Sequence, residues 1–283
     1  ITRLSNHTTT IYRKKSKEME YIKQIFLYDP NAPMIFTRFY FWVFFAVVLG
    51  IYSFVYTKNP VRNAYLFIVS SFFYYKSGGY FIIILAFTTL FDYLIGIKIS
   101  LSNQKVKKKF FLTLSIIMNL SVLAYFKYSY FFVDTINQIF GTHYKVVNHL
   151  ALFTNSIVGT NIDITTIILP VGISFYTFQS ISYTISVYRN AVKPLYNILD
   201  YACFVTFFPQ LVAGPIVKAY DFIPQLYKNY SLSIKEFGFA VFLIINGLVK
   251  KMLISDYISI NFVDRVFDSP LSYTGFENLM ALY

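Results

Sequence analysis

Apolar residues recur along this chain in runs, and charge is confined mostly to the gaps between them. The first run, Phe39–Thr57, holds 19 uncharged residues between Arg38 and Lys58. The second, Asn63–Tyr75, has only 13 between Arg62 and Lys76. That is roughly 20 Å of helix, short of a ~30 Å hydrocarbon core, so it must borrow flanking residues, tilt, or stay partly buried in protein. Ser77-Gly78-Gly79 reads as a turn. A third run, Tyr80–Ile97, is interrupted by Asp92, and a fourth covers Phe110–Phe126 and extends toward Val133. Residues 134–163 are polar and mixed, and read as the longest loop of the membrane part.

The next run, Ile164–Tyr188, has 25 residues without Asp, Glu, Lys or Arg. About 20 apolar residues cross a bilayer, so its length suffices. Yet it carries Pro170, Gly172, the amide of Gln179 and the hydroxyls of Ser174, Tyr176, Thr177, Ser180, Ser182, Tyr183 and Thr184. A lipid-facing anchor has no use for such polarity; a segment lining a cavity does. Tyr201–Val217 is broken by Pro209 and by Gly214-Pro215. Proline removes a backbone donor, and a bilayer tolerates this only where protein or water satisfies the freed carbonyls. A kinked or re-entrant helix is expected there. Phe237–Val249 is another short run, ending at Lys250-Lys251, and a last helix starts near Ser272. The pattern predicts an all-α, polytopic integral membrane protein with kinked or re-entrant helices. Residues 1–33 form a polar N-terminal extension, and 34–283 belong to one membrane domain.

Composition agrees. The chain is 56% hydrophobic and 13% charged, with 32 Phe and 26 Tyr, against about 25% charge in soluble domains. The net charge of +12 does not point to nucleic acid. The basic residues sit in short loops, as membrane topology requires, and not on one soluble face. The strongest cluster, Lys98, Lys105, Lys107, Lys108 and Lys109, is expected in the cytoplasm. Alternation then puts Lys58 and Arg62 inside, Lys76 and 134–163 outside, and leaves the basic N-terminal residues against the rule. Met19 and Met34 are both candidate starts, and the chain reads as cut at both ends. The single Cys203 excludes an intrachain disulfide and a Cys-based zinc site, and reads as a small core residue.

Few residues announce chemistry. Asp92 is a functional candidate because charge inside a membrane is costly, but its distance of six residues from Lys98 favours a side chain reaching the headgroups or a lysine. His143 and His149 sit in a loop with no carboxylate or thiolate cluster to complete a metal site, and read as a solvated pair. Asn119 and Asn246 suit packing between helices; Gln179 and Gln210, beside the broken elements, suit packing or cavity lining equally. Arg189 either snorkels at the interface or holds an anionic donor. No phosphate loop, nucleophile elbow or zinc-protease motif occurs.

Two stretches go further: Leu169-Pro-Val-Gly-Ile-Ser-Phe-Tyr-Thr-Phe-Gln179, followed by Val187-Tyr188-Arg189, and Phe207-Phe-Pro-Gln-Leu-Val-Ala-Gly-Pro-Ile-Val217, continued by Asp221–Leu226. Weaker matches lie at Arg62-Asn63, Phe73-Tyr74-Tyr75 and Asn119–Tyr128. Here the chain resembles the membrane-bound O-acyltransferase family, in its alginate O-acetyltransferase-like branch, which is similar to the D-alanyl transferase of teichoic-acid modification. The resemblance covers about residues 34–265. It implies helices around a tunnel through a thinned membrane centre. It implies transfer of an acyl group, usually acetyl, to an extracytoplasmic polysaccharide or a periplasmic or extracellular transferase partner. The donor, acetyl-CoA or another acyl thioester, would arrive from the cytoplasmic side of a bacterial inner membrane. The family's catalytic histidine, of Trp-His context, is not found here and is expected beyond Tyr283; His143 and His149 do not match it. The expected tunnel wall is Tyr176, Gln179, Ser180, Gln210 and Pro215, with Arg189 as candidate for a donor phosphate. D-alanyl transfer is the alternative within the class. A transporter or flippase is the alternative outside it, and the absence of an internal repeat speaks against that.

Overall fold

The computed structural model describes residues 26–158, 163–212, 214, 217–228 and 231–283. Among them every regular element is helical. In order these are α1 Phe39–Val55, α2 Asn59–Gly78, α3 Ile82–Leu101, α4 Lys105–Leu123, α5 Ser129–Phe140, α6 His149–Val158, α7 Ile173–Tyr188, α8 Ile198–Thr206, the single turns α9 Phe208–Leu211 and α10 Ala219–Phe222, then α11 Ile234–Asp268 and α12 Gly275–Leu282. Three helical stretches, Asn59–Leu101, Lys105–Phe140 and Ile234–Asp268, are long and apolar enough to cross a membrane. The protein is a multi-pass, all-α membrane protein. The chain forms two compact units, one of 47–228 with the segment ending at Met34, the other of 35–46 with 229–283.

The first unit holds the site. Its short second run becomes a 20-residue helix by taking in Asn59–Arg62 at one end and Lys76–Gly78 at the other. Pro60 sits in the first turn, where its missing N–H leaves no helical bond unmade. The turn falls at Gly79, whose φ of +61° suits glycine, and a 3-10 turn leads into α3. The end of α2 also anchors the preceding segment. Lys76 Nζ donates to Leu27 O at 2.5 Å, Ser77 Oγ donates to Met34 O at 2.6 Å, and Tyr28 packs on Tyr75.

The core lies where α3, α4 and α7 pack together and α8 closes against α2 and α3. Leu85, Ile99, Ile173, Tyr176, Tyr183, Tyr201, Phe204 and Leu211 are almost wholly enclosed there. A π-helical turn, Ala124–Tyr128, joins α4 to α5. Residues 134–163 are not one loop: α5 runs on to Phe140, Gly141 ends it at φ +64°, and α6 follows. Ile136, Ile139, Leu150, Phe153 and Ile157 supply apolar positions that the polar residues between them obscure.

Nor is 164–188 one crossing helix. The stretch up to Pro170 is non-helical, and α7 begins at Ile173. β-branched Thr165, Thr166, Ile167 and Ile168 precede a proline, a sequence that favours extended backbone. Its polar groups are met from outside: Ile167 N donates to Tyr130 Oη at 2.9 Å, and Asn148 Nδ2 donates to Thr166 O at 2.8 Å.

In the second unit α11 starts at a reciprocal cap, Ser233 with Glu236, and α12 at another, Thr274 with Glu277. The expected stop at Lys250-Lys251 does not occur. The helix continues through π-helical turns at Lys250–Ser255 and Ser259–Val263, where side chains pair five residues apart. Lys251 forms an ion pair with Asp256, and Ser259 donates to Asp264 at 3.2 Å. Pairing along the helix offsets the charge that would otherwise end an apolar run.

Candidate functional site

The two stretches that carry the resemblance pack on each other. Gly172 caps the start of α7 with φ +72°, and a β-carbon there would sit 2.3 Å from the Leu211 carbonyl oxygen. Only glycine serves both needs. Farther along, Gln179 Nε2 donates to Phe204 O at 2.6 Å, a carbonyl left open because α8 breaks at Phe207. The break re-forms as α9, with Pro209 in its first turn. The kink expected around Pro209 is present. Phe208 anchors it, its N–H donating to Ser70 Oγ at 3.2 Å and its ring 5.5 Å from that of Phe73.

Beside this junction lies a buried amide without a partner. The Gln210 side chain is 5% exposed, and neither its Oε1 nor its Nε2 makes a hydrogen bond. Tyr74 on α2 and Tyr176 on α7 are both wholly buried, and their hydroxyls face one another. Burying an amide or a hydroxyl unbonded costs about 1–3 kcal/mol per group.

Asp92 is the opposite case. It is 0% exposed and does not reach headgroups or a lysine, contrary to expectation. Ser115 Oγ donates to Oδ1 at 2.6 Å and Asn119 Nδ2 to Oδ2 at 2.7 Å, with Ser180 Oγ beside the same carboxyl. Ser115 also approaches Thr184 Oγ1 at 3.3 Å, and Tyr201 Oη approaches Ser180 Oγ at 3.4 Å. Asp92 lies less than two turns from Lys98, but its face of α3 turns inward to the serine and amide of α4. Ser180 is therefore engaged by this network, and Gln179 by Phe204.

A second partnered network escaped the sequence reading. Asp200, in the first turn of α8, accepts from Asn63 Nδ2 at 2.8 Å and from Tyr227 Oη at 2.6 Å. Burial, then the hydrogen bond to Asp200, raise the Tyr227 phenol above its ordinary pKa, so it stays a donor. Arg62, 4% exposed, donates to the carbonyls of Lys228, at 3.0 Å, and Leu226. Three polar residues of the α2 start and α8 thus clamp the 3-10 turn Ile223–Tyr227. The signal was the pair Arg62-Asn63 at the foot of a run too short to span, which needs protein contacts for its ends.

The remaining candidates are scattered. Arg189 is exposed at the end of α7. His149 lines a shallow cleft of about 360 Å³ with Tyr125, Ser129, Lys145 and Ile167; His143 does not. Cys203 is buried. Pro215 lies outside the described residues. Among the described residues no cluster of His, Cys, Asp or Glu could hold a metal ion.

No family model matches the chain, and no solved structure matches it. Curated relatives do. The chain is 34% identical over 228 residues to the probable alginate O-acetylase AlgI of Pseudomonas aeruginosa, covering 79% of this chain and 40% of that protein. It is 32% identical over 254 residues to the Pseudomonas putida protein of the same name, covering 88% and 48%. It is 29% identical over 253 residues to the peptidoglycan O-acetyltransferase of Helicobacter pylori, covering 80% and 44%. The chain spans less than half the length of these relatives. Three extended helical stretches and a buried polar centre between two interlocked signature segments accord with that similarity: the chain is a homologue of these O-acetylating proteins and falls with them in the membrane-bound O-acyltransferase family.

Proposed function

We propose that the whole protein transfers an acyl group, most simply acetyl, from a thioester donor to hydroxyls of an extracytoplasmic polysaccharide. The observation that carries this is the similarity, over about four-fifths of the chain, to proteins named as O-acetylases of alginate and of peptidoglycan. In such a transfer the acceptor oxygen bonds to the acyl carbon, the carbon–sulfur bond breaks, and the thiol leaves with the proton the hydroxyl gives up. A histidine elsewhere in the whole protein would act as general base. This chain would contribute part of the wall that positions the donor and excludes water. Tyr176, Gln179, Ser180, Gln210 and Pro215 belong to that wall in this reading, the second and third by holding its helices together. Arg189, exposed and basic, would meet a donor phosphate. The Lys98–Lys109 cluster marks the cytoplasmic face of a bacterial inner membrane, from which the donor arrives.

The acceptor is either a secreted polysaccharide or peptidoglycan, reached directly or through an extracytoplasmic transferase; the Helicobacter pylori relative favours keeping the second. Deleting the complete gene and measuring ester-linked acetate on both polymers tests the proposal. Loss from one polymer, restored by the intact gene but not by a variant whose Trp-His histidine is alanine, is expected. Unchanged acetate on both would overturn it.

A further inference from the structure

Lys145 and His149 line the cleft of about 360 Å³ in the first unit, and among the described residues neither side chain has a hydrogen bond or an ion pair. The other polar groups that shape this cleft are already bonded. Ser129 Oγ donates to Tyr125 O at 2.5 Å, Tyr125 Oη to Asn148 Oδ1 at 3.1 Å, and Asn148 Nδ2 to Thr166 O at 2.8 Å. These bonds tie the π-helical turn Ala124–Tyr128, the start of α6 and the extended stretch before Pro170 into one frame. Most of the remaining lining is apolar, with Phe132, Val133, Val146 and Ile167 in it, and no acidic side chain contributes. The cleft therefore offers an ammonium group and an imidazole N–H beside a hydrocarbon trough.

Its depth follows from the helical stretch that carries it. Lys105–Phe140 runs for 36 residues, about 54 Å at 1.5 Å per residue, against a hydrocarbon core of ~30 Å. Lys105, Lys107, Lys108 and Lys109 hold its start at one face of the membrane. About 20 residues counted from Phe110 end near Tyr130, so the cleft lies at the opposite boundary. Tyr128, Tyr130 and Tyr144 are exposed on the same segments, as aromatic side chains at the headgroup level are. A ligand that fits has an anionic group joined to a hydrocarbon chain. A sugar unit would leave most of its hydroxyls against apolar side chains. A free phosphate would engage the two basic side chains and leave the trough empty. An anionic phospholipid supplies both parts, at the depth where its phosphate resides.

We propose that this cleft binds an anionic phospholipid of the leaflet opposite the lysine cluster, its phosphate held by Lys145 and His149 and an acyl chain lying along Phe132, Val133, Val146 and Ile167. The assignment is independent of the acyl-transfer reading. The whole protein in detergent is titrated with phosphatidylglycerol and bound lipid is counted by native mass spectrometry, beside phosphatidylcholine, glycerol 3-phosphate and a uronic-acid oligosaccharide. Phosphatidylglycerol should occupy one site in preference to the zwitterionic phosphatidylcholine. Lys145→Glu should weaken that binding about tenfold or more, with phosphatidylcholine changed by less than about twofold. His149→Ala should weaken it about threefold, the effect of one hydrogen bond. Lys105→Glu, in the cluster at the other face, should leave it unchanged. Equal binding by the wild type and Lys145→Glu, or an equal loss in Lys105→Glu, overturns the assignment. Glycerol 3-phosphate binding as tightly as the lipid also overturns it, because the trough would then have no part. Displacement of the lipid by the oligosaccharide would make this a glycan site and overturn it too. If Lys145→Glu fails to accumulate, Lys145→Gln carries the same test, with about fivefold weakening expected.

Discussion

Two buried polar centres lie within one helical unit and differ in how far their polar atoms are bonded. Around Asp92 both carboxylate oxygens accept from side chains of α4, at 2.6 and 2.7 Å, and Asn119 Oδ1 is the unmatched atom of that group. At Gln210 both polar atoms of an enclosed amide are unmatched. Both centres bury amides and hydroxyls, so burial alone does not separate structure from function. Satisfaction does. A matched network fixes how helices pack, and its polarity has no further use. An unmatched one destabilises the protein by about 1–3 kcal/mol per group.

The contrast can be broken at several points. The largest effect is expected from Asp92→Ala, which strands Ser115 and Asn119 in the interior. Unfolding in detergent should show a loss of about 3 kcal/mol; a neutral result would make the Asp92 centre functional and not architectural. Gly172→Ala should cost about 2 kcal/mol or more, because the position needs positive φ and the Leu211 carbonyl occupies the space of a methyl. It should also depress transfer, since it separates the two signature segments. Tyr227→Phe removes one of the two bonds to Asp200 and should cost about 1 kcal/mol, measured the same way, with transfer nearly unchanged. Smallest, and opposite in sign, is Gln210→Leu, which takes away an unbonded amide and should leave stability unchanged or raise it by about 1 kcal/mol.

How much of this could be read from the residues depends on which force set each element. Runs bounded by charge located α1 to α4 well, because insertion of apolar helices depends on little else. The break at Pro209 followed from the missing N–H. Failures came where tertiary pairing overrode local composition. Asp92 looked close to a membrane edge when counted along the chain, yet the rotation of α3 turns it inward. Lys250-Lys251 looked like a stop, but Asp256 lies within reach in a π-helical turn. Ile164–Tyr188 looked like one span because charge was scored and the extended tendency of its β-branched residues before Pro170 was not. Gln210 was singled out from sequence, but nothing in sequence separated it from Gln179 and Ser180; the bonding pattern does.

The most direct test of the distinction is thermal unfolding of the Gln210→Leu protein in detergent beside the wild type. The account predicts a midpoint equal to or above wild type, because the leucine fills the amide's space and removes its unmet polarity. A midpoint lower by several degrees would mean that Gln210 holds the fold together, and would contradict the claim that its amide is unbonded in the interior.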